Sequence, residues 1–379
     1  MNFSFVNTLI MNNLSKYFAA SKSEKSKIID NIVANTSLHR KSVIRRFKKL
    51  LKPPSRKRGG SKPIYLTETN EILKLVWYSR DYICAELLHP YLVESIKYLE
   101  KDNRLLFFSI EAIEQVKTMP LGTLKWKLKC LDVVRPNFSY YRRTGEQLKK
   151  IVPISTTMNV SNKVGYLELD FVDHNGGDAS GQFSRSLCCV DVLSQYIVRK
   201  ATRGKAEATV QSVFDKAISN IPFPIRAMHT DNERSLLKSL ISQQALRNHI
   251  HISRSRSYQK QDNGHVEQKN GDKIRLLVGY RRYDTDEQTE ILNQIYECDD
   301  LFQNHFISSR RLKEKIYDES GKLRSKKWDT ARTPYLRIIE NKEVSKKVKL
   351  KIMLLHNKLN PLELREKRDK LVNILRNFQ

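Results

Sequence analysis

Apolar residues recur at helical spacing through the first third of the chain and switch to alternation after residue 160. Residues 23–51 carry two helical stretches, KSKIIDNIVA and LHRKSVIRRFKKLL, separated by NTS. In the second, Val43, Ile44, Phe47, Leu50 and Leu51 share one face. Arg40, Lys41, Arg45, Arg46, Lys48 and Lys49 cover the other, and Ser37 stands where an N-cap would. Residues 67–133 stay helical. There IEAIEQVKTM, the short PLG turn and TLKWKLKCL set Leu124, Leu128 and Leu131 on one face, with Lys125, Lys127 and Lys129 elsewhere. This segment reads equally as a helix-turn-helix or as an ordinary bundle. From Val164 the pattern becomes β-rich: VGYLELDFV, SLCCVDVLS and QYIVRKAT predict three strands. A helix KAEATVQSVFDKAISN, a strand PIRAMHTD, a helix RSLLKSLISQQALRN and a strand HIHISRS follow. The loop SYQKQDNG leads to a helix from about His265. The succession predicts a mixed α/β layer architecture.

Composition shifts mark the boundaries. They give a helix-turn-helix region over 1–52, a basic linker over 53–66, a helical region over 67–133 and a connector over 134–160. An α/β core over 161–283 and a C-terminal region, mainly helical or irregular, over 284–379 complete the chain. The linker PPSRKRGGSKP is denied helix and strand by its prolines and glycines, and its four cations suit a basic arm along a groove. Near the start, FSFVNTLIM is apolar but short and has neither a basic flank nor a small-residue cleavage site. It is read as neither signal peptide nor membrane span, and Met11 offers an alternative start.

Charge narrows the partners. The 69 Lys and Arg against 41 Asp and Glu give a formal charge of +28. So large an excess repels itself unless a polyanion is bound, and nucleic acid is the expected partner. No amphipathic anchor suggests a membrane surface. The five cysteines form no CxxC pair, so reduced core thiols in a cytoplasmic, nucleoid-associated protein are expected and a zinc site is not. On the charge argument, the helix bearing Arg40, Lys41, Arg45 and Arg46 is the one expected to meet DNA.

Three acids in the α/β part stand in unusual places. Asp170 lies inside a strand between Leu169 and Phe171. Asp231 ends a run containing Ile225, Ala227 and Met228, and Glu267 opens the helix after the glycine loop, with 35 residues between it and Asp231. A carboxylate among apolar strand residues is costly without a partner. A divalent metal satisfies it: Mg²⁺ prefers carboxylate oxygens. Two such ions about 4 Å apart stabilise the attacking and leaving oxygens of a phosphoryl displacement. Asp262, in the glycine loop, is a less well held alternative to Glu267. Asp173, Asp178 and Asp191 read as surface or turn acids, and His229 as a packing residue. Arg254, Arg256 and Lys260, beside the proposed cage, read as DNA contacts.

In this order and spacing, LELDFVDH, HTDN and DNGHVEQKN resemble the integrase catalytic core of DDE transposases and retroviral integrases. The likeness is closest to bacterial insertion-sequence transposases. GYRRYDTDEQ, ARTPYLRIIE and LNPLELREK extend it over about residues 105–370. The resemblance implies an RNase H-like core with two Mg²⁺ or Mn²⁺ ions, cleaving an element's ends and joining them to target DNA. Asp170 would bridge both ions, Asp231 would bind one and Glu267 the other. Asn263 and His265 would orient DNA or water, and Lys269 and Lys273 would approach phosphates or terminal bases. It further implies a homo-oligomer on DNA. Two departures are visible: Ile274 stands where relatives carry a cation seven residues after the glutamate, with Lys273 and Arg275 on either side as the two replacements, and no His/Cys zinc module precedes the core. The expected function is DNA cleavage and strand transfer. The alternatives are a DNA-binding regulator with an inactive core and a structure-specific nuclease.

Overall fold

A computed structural model describes residues 3–36, 38–51, 64–131, 163–230, 236, 239, 250–254, 266, 269–318 and 322–378. The chain divides into two compact units, residues 1–64 and 65–379. The first is built from α1 (Phe3–Asn12), α2 (Leu14–Ala19), α3 (Lys22–Thr36) and α4 (Arg40–Leu51). The apolar FSFVNTLIM run is thus a helix of this unit, with Ile10 in its core. Ile29, Ile32, Val43 and Phe47 complete that core, and the Phe47 ring stacks on Tyr17 at 4.0 Å. Leu50, expected on the apolar face, is 45% exposed instead. The α4 residues buried in this core are Val43 and Phe47, one turn apart. Ser37 lies outside the described residues.

In the second unit, α5 (Glu68–Ser79), α6 (Ala85–Leu88), α7 (Leu92–Lys101), α8 (Ile110–Lys117) and α9 (Leu121–Cys130) share one apolar cluster. The cluster includes Leu124, Leu128 and, from the far end of the chain, Leu362. Lys127, expected away from this face, is buried. Its ammonium donates to Asn70 Oδ1 at 2.7 Å over the Tyr65 ring, and burial lowers its pKa. Cys84 and Cys130, expected in the core, are exposed; Cys188, Cys189 and Cys298 are buried.

The sheet holds β1 (Tyr166–Asp173), β2 (Ser184–Asp191), β3 (Ile197–Arg203), β4 (Ala227–Thr230) and β5 (His251–Arg254), in the order β3-β2-β1-β4-β5. The first three are antiparallel neighbours, while β4 and β5 run parallel to β1. Alternation in β1 serves two cores. Leu167, Leu169 and Phe171 join α10 (Glu207–Ser219) through Val210, Phe214 and Ala217. On the opposite face Val172 packs with Ile274, with Leu292 and Tyr296 of α12 (Asp286–Phe306), and with Val372 of α15 (Pro361–Asn377). A π-helical turn, Asn270–Arg275, runs into α11 (Leu276–Val278) on this face. The remaining elements are a hairpin of β6 (Leu312–Tyr317) and β7 (Leu323–Trp328), then α13 (Pro334–Glu340) and α14 (Lys346–His356).

Two local constraints hold β1 in register. Gly165 has φ +103°, and a Cβ there would stand 2.3 Å from the Pro224 carbonyl oxygen, so only glycine fits. Asp191, expected at the surface or a turn, does sit at the β2–β3 turn but is fully buried. Its carboxylate accepts from the backbone N–H of Gly165, Tyr166 and Ser194, and burial raises its pKa. The burial is tolerated because those three donors, with the Ser194 hydroxyl, satisfy the carboxylate in the dry interior.

A buried ion network ties the layers together. The Arg199 side chain on β3 is fully buried. It donates to Asp300 Oδ1 at 2.7 Å, to Asp299 Oδ2 at 2.6 Å and to the Lys273 carbonyl at 2.5 Å. Arg368 of α15 joins Asp299 at 3.0 Å to Asp81, which follows α5. Burial alone would push the Asp299 carboxyl up, but Arg199 and Arg368 outweigh it and hold it at about 2. Burial pushes Asp300 up to about 6 against the pull of Arg199. Arg80 adds a second tie: fully buried, it donates to the Phe306 carbonyl at the end of α12.

Replacing Arg199 by Met leaves Asp300 in the interior without a cation and Asp299 with Arg368 alone, so the urea midpoint should fall by the equivalent of about 3–5 kcal/mol. An unchanged midpoint would show that the network carries no stability. The Asp299 contribution should be present above its unfolded pKa of 3.8 and be lost as pH falls toward about 2. It is on the order of 2 kcal/mol. Thermal melts between pH 4 and 2 should show this slope in the parent and lack most of it in Asp299→Asn.

Candidate functional site

The acid face of β1 is where unusual chemistry gathers. Residues two apart on a strand share a face, and Glu168 and Asp170 both turn toward the chain segment 266–275. Glu168 is buried, and its Oε2 accepts the Val266 backbone N–H at 3.0 Å. Asp170 is half-buried. Its Oδ2 accepts from the Asn270 side-chain amide at 2.7 Å and its Oδ1 from the Phe171 N–H at 2.9 Å. These two hydrogen bonds come from neutral donors on separate oxygens, which fixes the plane of the carboxylate. Two points on β1 therefore clamp the facing segment at positions four residues apart.

Strand pairing brings other segments to the same place. In the parallel β1–β4 register, Thr230 lies opposite Leu169, and the Thr230 hydroxyl donates to the Leu169 carbonyl at 3.1 Å. Arg254 of β5 pairs with Thr230 in turn. His229 packs as expected, buried and bonded through Nδ1 to Ser253 Oγ at 2.8 Å.

The π turn sets the phase of the residues at its end. An α-helix returns to the same face after seven residues, and a π turn inserts one more. The Leu276 N–H bonds the Gly271 carbonyl, five residues back. The added residue turns Ile274 wholly into the core. Arg275 instead reaches β1, donating to the Asp173 carbonyl at 2.7 Å beneath the Tyr280 ring. Partial burial lowers its pKa. Beyond it, His174 is fully buried and held neutral, its pKa driven down to about 3 by burial and by Arg275. Its Nε2 shares a 2.7 Å hydrogen bond with Ser186 Oγ.

Of the residues expected to act here, Asp170 is described and held as above. Lys269 and Lys273 are half-buried on the π-turn segment and line a small cleft with Gln195, Gln303 and Asn304. Asp231, Arg256, Lys260, Asn263, His265 and Glu267 lie outside the described residues, as do the side chain of Arg254 and the loop acid Asp262. Among the described residues no group of three His, Cys, Asp or Glu is placed to hold a metal ion. Asp173 pairs with Arg185 at 2.5 Å and Lys205 at 3.4 Å, and Asp178 is an exposed turn acid. Sequence reasoning misses Asn270 and Glu168, and it names Arg275 only as one of two cations beside Ile274, not as a partner of β1. The signal is present for Glu168, two residues from Asp170 on the same strand, and absent for Arg275, whose phase depends on the π turn.

In the N-terminal unit the four candidate cations separate. Arg40 is tied back to α3 by Asp30 and Ser26, whereas Lys41 and Arg45 are exposed on α4 and Arg46 is half-buried. Among the described residues, no helix is long and apolar enough to cross a membrane.

No family model matches the chain. It is similar to an uncharacterized protein, y4rM, of Sinorhizobium fredii (strain NBRC 101917 / NGR234). The two are 29% identical over 306 residues, spanning 80% of this chain and 86% of that protein.

Proposed function

We propose that this protein is a DNA transposase of the DDE type, cutting and joining DNA ends at a carboxylate site with an RNase H-like core. The observation that carries the reading is the Asn270–Asp170 hydrogen bond combined with the β1–β4 register. Asn270 comes three residues after Glu267, and Thr230 directly precedes Asp231. Thr230, Val266 and Asn270, the described residues next to Asp231 and Glu267 in sequence, thus meet β1 at Leu169, Glu168 and Asp170. The strand order β3-β2-β1-β4-β5, with β2 alone antiparallel to both its neighbours, supports the RNase H-like reading.

The donor chemistry fits a divalent metal. Asp170, Asp231 and Glu267 would supply the hard oxygen ligands that Mg²⁺ or Mn²⁺ takes, and Asp170 is already oriented by Asn270 and the Phe171 N–H. Two such ions, when bound, stabilise the attacking and leaving oxygens of an in-line displacement. The chain's own residues do the rest: Asn270 holds the Asp170 plane, the Glu168–Val266 bond fixes Val266 against β1, and Arg275 sets a cation at the end of β1. Lys41 and Arg45 on α4 suit phosphate contact, while Arg40 serves the helix pair.

Glu267→Gln and Asp170→Asn should each abolish cleavage and joining of duplexes taken from the DNA bracketing the gene, assayed in Mg²⁺ or Mn²⁺. Binding to those duplexes should persist, because metal capture is separate from recognition by α4. Joining at the parent's rate by either variant would end the carboxylate assignment.

The α4 cations divide by role. Lys41→Ala with Arg45→Ala should weaken binding and lower the slope of log affinity against log salt by about 2, close to one for each phosphate no longer engaged. Arg40→Ala should instead lower the melting temperature of the N-terminal unit more than the salt slope. Undiminished binding by the Lys41/Arg45 variant would remove α4 from the DNA interface.

A further inference from the structure

The hairpin β6–β7 is a bare ribbon. All of β7 is exposed, as are Lys313, Glu314 and Tyr317 of β6. An isolated two-stranded hairpin is marginal in water, yet this one is held hard at its base. Asp329 accepts the Arg311 N–H at 2.6 Å and, through its other oxygen, the Arg337 guanidinium of α13 at 2.5 Å; the same guanidinium donates to the Ser309 carbonyl. Ser309 and Arg332 exchange backbone hydrogen bonds in both directions. These bonds tie down the stem, and most of the described residues of the ribbon beyond it are exposed.

Its charge points to a ligand. Residues 310–328 hold eight Lys and Arg against three acids. Lysines on an exposed edge guard against strand-to-strand aggregation, but an excess of five cations over so short a ribbon goes beyond that task. Tyr317 and Leu323, paired at the tip, and Trp328 at the stem leave apolar surface in water.

We infer that the β6–β7 hairpin is a DNA-binding arm that enters the major groove of duplex DNA, with Lys322, Arg324 and Lys326 on its phosphates. The groove of B-form DNA is about 12 Å wide and admits a two-stranded ribbon. The major groove of A-form RNA is deep and narrow and does not. This surface goes beyond the carboxylate site and does not depend on it.

The test uses the full chain with a chelator present, so that binding is read without any metal-dependent chemistry. The variant is Lys322→Ala, Arg324→Ala, Lys326→Ala, all at exposed positions. Its affinity for random-sequence duplex DNA should fall about tenfold or more, and its salt slope by about 2.7, at about 0.9 per phosphate contact. Guanine N7 atoms lie in the major groove. Dimethyl sulfate footprinting should therefore show N7 protection by the parent that the variant loses. Unchanged slope and footprint would overturn the proposal. So would an equal loss of binding to duplex RNA or to anionic phosphatidylserine vesicles, which would mark an unspecific basic surface. If the triple variant melts lower than the parent, Arg324→Ala alone carries the same comparison, with a slope change of about 0.9 expected. A failed cleavage assay with normal hairpin results would count against the carboxylate site only.

Discussion

The second unit depends on one guanidinium. Arg199 sits in the middle of β3 with no access to water, where an unpaired charge would not survive folding. Its fork is filled by Asp299 and Asp300 of α12 and by the Lys273 carbonyl of the π turn. The position of α12 against the sheet is thereby set by charge geometry as well as by the Leu292, Ile295 and Tyr296 contacts. Asp299 passes the constraint on to Arg368 of α15 and, through it, to Asp81 in the helical region. Apolar packing tolerates small slips; a planar fork between two carboxylates does not.

This framework explains why the acid face of β1 is held so firmly. The π turn is gripped from both ends: Arg199 holds the Lys273 carbonyl, and Asp170 and Glu168 hold Asn270 and the Val266 N–H. A π turn is a less favourable helical form, and here it lets Ile274 fill the core while Arg275 still reaches the strand. A carboxylate that must stay oriented for chemistry is best placed on a rigid strand with a fixed neighbour. Asp170 has that arrangement. The arm formed by β6–β7 follows the same economy, with a stem tied down at Asp329 and Arg337 and a largely exposed ribbon beyond it.

Much of the layer structure was legible in sequence because local periodicity encodes it. The alternation of VGYLELDFV, SLCCVDVLS and QYIVRKAT located three strands within a few residues of their observed limits, and helical spacing located α3, α4, α8, α9 and α10. Asp170 stood out because an acid between leucine and phenylalanine in a strand has few innocent explanations. Tertiary structure decided what periodicity cannot carry. Lys127 is buried because Asn70 and the Tyr65 ring, 57 and 62 positions away, happen to receive it. Leu50, Cys84 and Cys130 lie at the surface. Asp191 is internal because three backbone N–H groups converge on it, two from the start of β1 and one from the β2–β3 turn. Ile274 fills the core against Val172 while Arg275 reaches the end of β1, since one inserted residue rotates the helix by about 100°. The sequence by itself determined which faces were apolar and where an acid was out of place. Which distant donor met each buried polar group was decided only when the chain folded, since hydrogen bonds and ion pairs between remote segments leave no periodic trace.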